Sequence, residues 1–281
     1  MKKILFLALF ISTALAQFSN PPVFKDTVWG PYTVLIDSQQ LVGNTIELWG
    51  HENDSMFGQA LRIIDPNGIV LEQFEDAVIE IIDSPELDIN KNGIADIIIT
   101  TFSGGAHCCS GTKIFEFGST NKMVFDDFSE CPVEFKDLDD DGVTEIIGCD
   151  SSWAYSYCSF ANSPLPTIVW QWGGEYYNIA NPNYSQTSMQ NIGYYLSQIL
   201  EQNQNPEYGY DQGPGHLCAT LGLSLPYLYN NREDLAYQAL KMSFNKELVK
   251  DTEFNSLEKF WQDILKNYQE SPYRYVYKGD H

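Results

Sequence analysis

Asp137-Leu-Asp139-Asp-Asp141-Gly142-Val143-Thr-Glu145 runs straight into Ile-Ile-Gly-Cys149, and the fold is read from this stretch. Forty-nine residues upstream, Asp88-Ile-Asn90-Lys-Asn92-Gly93-Ile94-Ala-Asp96 runs into Ile-Ile-Ile-Thr100 in the same way. Each loop puts oxygen-bearing side chains at its first, third, fifth and ninth positions and a glycine at its sixth. Alternate side chains then point inward, the glycine permits a sharp turn, and the seventh residue offers its carbonyl, which is how a short loop wraps a hard cation such as calcium. An EF-hand needs a glutamate at position 12 and a following helix; here Ile99 and Gly148 stand at that position and β-branched runs follow. The loops are expected inside β-hairpins.

Residues 1–16 have the three parts of a secretory signal peptide. Lys2 and Lys3 make a basic start, an apolar run follows that is too short to span a bilayer, and Ala14-Leu-Ala16 is a small-x-small end. Cleavage after Ala16 predicts a secreted or periplasmic protein, and no later apolar run is long enough for a membrane span. Losing the two lysines takes the formal charge from -22 to -24. Such a charge disfavours nucleic acid and anionic membrane as partners and suits cation binding.

The remaining chain changes style near residue 180. Across 17–180, short apolar runs are broken by Gly, Asn and Asp, which predicts a β-repeat domain with strands at 31–36, 45–51, 59–64, 68–73, 77–82, 96–103, 112–117, 132–136, 144–149 and 166–172. Asp65-Pro-Asn-Gly68 reads as a tight turn. Across 181–281 the period lengthens to that of helices: Ile192, Tyr195, Leu196, Ile199 and Leu200 share one face, and 233–245 and 255–268 continue the pattern. Asn255 with Glu258 suggests a capped helix start, whereas Gly209-Tyr-Asp-Gln-Gly-Pro-Gly215 reads as a loop. The fold class expected is mainly β with an α-helical C-terminal region.

Sliding the chain by 49 residues superposes Asp88 on Asp137, Gly93 on Gly142, Asp96 on Glu145 and Cys109 on Cys158. Two repeats of about four strands each have the dimensions of propeller blades, and 28–75 is a third without the acidic loop. The loops and their strands resemble the FG-GAP/VCBS repeats of integrin-α-type propellers, and Ser103-Gly-Gly-Ala-His-Cys-Cys109 resembles a segment of uncharacterised secreted members of that group. The resemblance covers about residues 77–175. It implies two structural calcium sites, one at Asp88, Asn90, Asn92, the Ile94 carbonyl and Asp96, the other at Asp137, Asp139, Asp141, the Val143 carbonyl and Glu145. Three blades' worth of sequence predicts an incomplete or atypical propeller. Loop two carries four carboxylates to loop one's two and is therefore expected to bind more tightly.

Cys131 and Cys149 are symmetric about Asp140, so a hairpin there predicts a disulfide, which in the chain-entropy view contributes about 3 kcal/mol. Spacing leaves the pairing of Cys108, Cys109, Cys158 and Cys218 open, with Cys218 placed to tie the helical half to the β half. His107-Cys108-Cys109 is a poor nucleophile–base pair, because adjacent residues of a strand face opposite ways. The aromatics between Trp153 and Tyr177 are expected to fill the β core rather than form a binding strip. These features favour a non-enzymatic, calcium-stabilised module that binds protein or glycan. The alternative is a secreted hydrolase with its site between the β domain and the Gly-rich loop 209–215, although neither a Gly-x-Ser-x-Gly nor a His-Glu-x-x-His motif is present.

Overall fold

The computed structural model describes residues 30–83, 87–105, 110–118, 121–129, 131–205 and 212–275. Residues 1–16, expected to be a signal peptide, and His107-Cys108-Cys109 lie outside the described residues. Twelve strands come first: β1 (Val34–Leu41), β2 (Asn44–His51), β3 (Asp54–Ile64), β4 (Val70–Asp76), β5 (Val78–Asp83), β6 (Ala95–Phe102), β7 (Ser110–Phe117), β8 (Asn121–Ser129), β9 (Glu134–Lys136), β10 (Glu145–Cys149), β11 (Thr167–Trp172) and β12 (Tyr177–Ile179). They form three four-stranded antiparallel sheets, β1–β4, β5–β8 and β9–β12, each a meander in which neighbours in sequence are neighbours in space. Chain-local pairing of this kind needs no crossover, and the Asp65–Gly68 turn shows one of the short connections. There Asp65 Oδ1 accepts the N–H groups of Asn67 (2.9 Å) and Ile69 (2.7 Å), and Gly68 adopts φ 84°.

Alternation along β6 and β7 puts the second sheet in the middle. Ile97, Ile99, Phe115 and Phe117 pack with Leu41, Ile46, Leu48, Leu61 and Ile63 of the first sheet. Ile98, Ile114, Val124 and Phe125 turn the other way, to Ile146, Ile168, Trp170 and Tyr177 of the third sheet and to the helices. Successive side chains of a strand face opposite sides, so one apolar run serves two interfaces.

The helices are α1 (Ser185–Ser188), α2 (Ile192–Gln204), α3 (Gln212–Tyr229), α4 (Glu233–Ser243), α5 (Lys246–Val249) and α6 (Leu257–Glu270). Two expectations are corrected here. Gln212–Gly215, read as loop, is the first turn of α3, and α6 is capped by Ser256, whose hydroxyl accepts from Lys259 N–H at 3.2 Å, rather than by Asn255. α3 runs through the core with Leu217, Leu221, Leu225, Leu228 and Tyr229 buried. A polar knot fastens it to the third sheet. The buried Asp150, just past β10, accepts hydrogen bonds from the Tyr229 hydroxyl and from Ser271 Oγ (2.5 Å), while Trp153 Nε1 donates to the Tyr229 oxygen (2.9 Å). Covalently, Cys158 is bonded to Cys218 of α3 and Cys131 to Cys149. Disulfides of this kind are the chemistry of an oxidising, extracytoplasmic compartment. Among the described residues, no helix is long and apolar enough to cross a membrane.

Candidate functional site: paired acidic loops

The two acidic loops occupy equivalent places, between the first and second strands of the second and third sheets. In the first sheet the same connection has shrunk to Val42-Gly43. The loops also share their hydrogen bonds. In loop one, Asp88 accepts from the N–H of Asn92 (3.1 Å) and of Gly93 (3.0 Å), Asn92 Oδ1 from Ile94 N–H (2.8 Å), and Asp96 Oδ2 from Ile89 N–H (2.8 Å). In loop two, Asp137 accepts from Asp141 (3.2 Å) and Gly142 (2.9 Å), Asp141 Oδ1 from Val143 N–H (2.7 Å), and Glu145 Oε2 from Leu138 N–H (2.8 Å). Lys91 and Asp140 are both left-handed, with φ 55° and 60°, and the following Gly93 and Gly142 have φ 83° and 87°. The glycines are needed, since a side chain at such φ is strained. A backbone bond from Thr144 N–H to the Ile89 carbonyl (2.7 Å) joins the two loops directly.

Their interiors differ. In loop two, Asp137, Asp139 and Glu145 bring carboxylate oxygens within 4.8 Å of one another, the one such group of three His, Cys, Asp or Glu side chains among the described residues. Glu145 is fully buried, and its Oε1 has no hydrogen-bond partner. Burial pushes its carboxyl up, opposed by the Leu138 N–H and the Tyr184 hydroxyl, with Asp139 and Asp141 adding to the rise. Asp141 stands outside the group of three. Tyr184 reaches in and donates its hydroxyl to Asp139 Oδ2 at 3.1 Å.

Loop one is closed by a residue that the local sequence reading missed. Glu116 of β7 faces Asp96 across the ladder, and its Oε1 accepts from both Asn90 Nδ2 (2.6 Å) and Asn92 Nδ2 (2.5 Å). The amide orientation is set by the loop, because the two Oδ1 atoms already accept from Asn92 and Ile94 N–H. The buried Asp96 keeps one unpartnered oxygen, Oδ1, and its carboxyl is pushed up to about 7 by burial and by the charges of Glu116 and Asp88. The signal for Glu116 was present: antiparallel pairing of the strands expected at 96–103 and 112–117 sets 96 and 116, near their far ends, opposite each other. Tyr184, remote in sequence and on a different element, left none.

The alternative site can be judged from the same geometry. A cavity of about 650 Å³ does lie between the segment 155–159 and Gly213-Pro214, with Asp251, Glu253 and Phe254 on its wall. Of its two exposed acidic residues, Asp251 and Glu253, the latter is paired with Lys259 at 3.1 Å. His216, in the next turn of α3, is fully buried; its Nδ1 lies 2.9 Å from Gln202 Oε1 and its Nε2 accepts from Asn245 N–H at 3.0 Å. Both ring nitrogens are thus committed to joining α2, α3 and the α4–α5 turn. Of the aromatics singled out from the sequence, Trp153, Tyr157, Trp170 and Tyr177 are buried, while Tyr155 and Tyr176 are exposed.

No family model and no solved structure matches the chain. A curated relative, a probable thylakoid lumen protein of Synechocystis sp., is 31% identical over 78 residues, a match that takes in 26% of this chain and 23% of the relative. The chain therefore covers about a quarter of that relative's length.

Proposed function

We propose that this is an exported β-repeat protein in which loop two binds calcium as a structural joint, and that it acts as a non-enzymatic binding module for a protein or glycan. One atom carries the first half of this reading. Glu145 Oε1 is a buried carboxylate oxygen without a partner, set beside Asp137 and Asp139. Burying such a group unpaired is costly, and a divalent cation would satisfy all three carboxylates at once. An all-oxygen set without His or Cys suits a hard cation. In loop one, an ion would first have to part Glu116 from two carboxamides, so affinity there is expected to be lower. Leu138 and Ile89 are held by the position-nine carboxylates, so an ion in loop two would stiffen the hairpin that opens the third sheet.

The duplicated loop conformation and the three meanders support the likeness to FG-GAP/VCBS blades; the closed ring of a propeller is not required. The disulfides and the lumenal description of the partial relative agree with export past the membrane. Calorimetric titration of the mature chain with calcium, and separately with magnesium, tests the joint, with Asp139→Asn as the control. Absence of calcium heat in the parent chain removes the joint. A pull-down from envelope extract with and without chelator tests the module, and recovery of no partner in either condition counts against it.

A further inference from the structure

Charge is the first clue. The chain carries 38 Asp and Glu against 16 Lys and Arg. A cavity of about 600 Å³ nevertheless opens between β11–β12 and residues 274–275; among the described residues its wall has no acidic side chain and has Arg274 as a cation. That volume is of the size that holds small ligands. Trp172 supplies ring surface, backed by the buried Tyr177, their centroids 5.4 Å apart and tilted at 59°. Gln171, Asn178 and Asn183 supply carboxamides.

The carboxamides are ordered among themselves. Asn183 Nδ2 donates to Gln171 Oε1 at 3.1 Å, which leaves Gln171 Nε2 to donate and Asn183 Oδ1 to accept. Asn178 is held in place by its own bond to the Tyr176 carbonyl at 2.8 Å. A donor and an acceptor presented side by side match the neighbouring hydroxyls of a sugar ring, each of which both donates and accepts. The C–H face of a pyranose has the flat apolar surface that an aromatic ring covers, and Arg274 adds fixed donors for further hydroxyls. A basic ligand would find no carboxylate among the described residues of this wall, and a polyanion would be repelled by the chain as a whole.

We propose that this cavity is the binding site for a neutral saccharide, held by Trp172, Gln171, Asn183 and Arg274. The inference rests on the binding-module reading and names its ligand class and its place. It also couples the site to loop two. Asn183 belongs to the 3-10 turn Asn181–Tyr184, whose last residue donates to Asp139. An ion that fixes Asp139 therefore fixes one wall of the cavity, so saccharide affinity rises with calcium.

The test is titration of the mature chain with cellohexaose, maltohexaose and chitohexaose, and with a trigalacturonate, followed by tryptophan emission and by calorimetry. The expected result is binding of at least one neutral hexasaccharide, weakened at least tenfold in Trp172→Ala and severalfold by chelator. Gln171→Ala and Asn183→Ala serve as milder variants should Trp172→Ala fail to fold, and each is expected to lose affinity while keeping the parent unfolding temperature. Binding unchanged in all three variants overturns the site. Binding of trigalacturonate alone overturns the ligand class. No saccharide binding by a chain that still retains a protein partner overturns this inference and leaves the module reading standing. No saccharide binding and no partner removes both.

Discussion

Glu145→Gln sets two effects against each other and so tests the logic of loop two. Glutamine is nearly isosteric and can keep the 2.8 Å bond from Leu138 N–H. It replaces the unpartnered Oε1 with an amide that can donate to Asp137 or Asp139, the two carboxylates beside it. A buried polar atom without a partner costs about 1–3 kcal/mol, so in chelator the variant should be more stable than the parent by about 1 kcal/mol. For a chain of this length, that raises Tm by about 2–4 °C. Calcium reverses the order. At about 100 times its dissociation constant it stabilises the parent by about 2.7 kcal/mol. Removing one of three charged ligands, at a tenfold loss of affinity, cuts that increment to about 1.4 kcal/mol at the same calcium concentration. Scanning calorimetry of both proteins, in chelator and in calcium, should therefore give a higher Tm for the variant without calcium and a smaller calcium increment for it. A variant that is less stable than the parent in chelator, yet gains the full increment from calcium, would refute the reasoning, because Glu145 would then be a structural acceptor and not a ligand.

Glu116→Ala leaves the Asn90 and Asn92 amides without their shared acceptor and should cost about 2–3 kcal/mol in urea unfolding in chelator, and no more than that in calcium, because loop one is then freed to take the ion; a loss larger in calcium than in chelator would make Glu116 a ligand. Replacing Cys158 and Cys218 together by alanine opens a cross-link between residues 60 apart and should cost about 4 kcal/mol, read as a lower urea midpoint; an unchanged midpoint would contradict it. Burial holds the His216 imidazole below its usual range, so the unfolded chain takes up that proton first. Stability from this group is whole above about pH 6.5 and is lost as pH falls from there towards the lower folded value, and His216→Gln should flatten that limb in pH-dependent unfolding; an identical acid limb in the variant would assign the proton elsewhere.

What could be read in the sequence was whatever is contiguous. Asp137 to Glu145 forms its own loop from its own residues, so its conformation and its likeness to Asp88–Asp96 were visible in one line. The strand Asn121–Ser129 was missed because Asp126 and Asp127 break its apolar pattern. Asp127 is nevertheless buried, and its Oδ1 accepts the Tyr273 hydroxyl at 2.7 Å, a partner 146 residues away that no local reading supplies. The helix Gln212–Tyr229 was missed at its start for a different reason. Gly213-Pro214-Gly215 has loop composition, yet a proline in the first helical turn gives up no intrahelical bond. The rest of that helix is buried nearly all round and so lacks the one-sided stripe that marks a surface helix. The same distinction divides the site: loop two was legible, while Glu116 depends on strand register and Tyr184 on tertiary packing.

The knot at Asp150 has a consequence for how the chain comes into being. Its carboxylate is laid down at residue 150, but the groups that receive it arrive at Tyr229 and Ser271, the latter 121 residues later. A chain emerging from an export channel therefore carries, for most of its passage, an acid that its own interior cannot yet accept. Until Tyr229 and Ser271 arrive, the Ser152 N–H (2.8 Å) is the nearby donor that Asp150 has to hand. A product cut before Ser271 would leave Asp150 without one of its side-chain donors and is expected to be cleared by proteases faster than the parent.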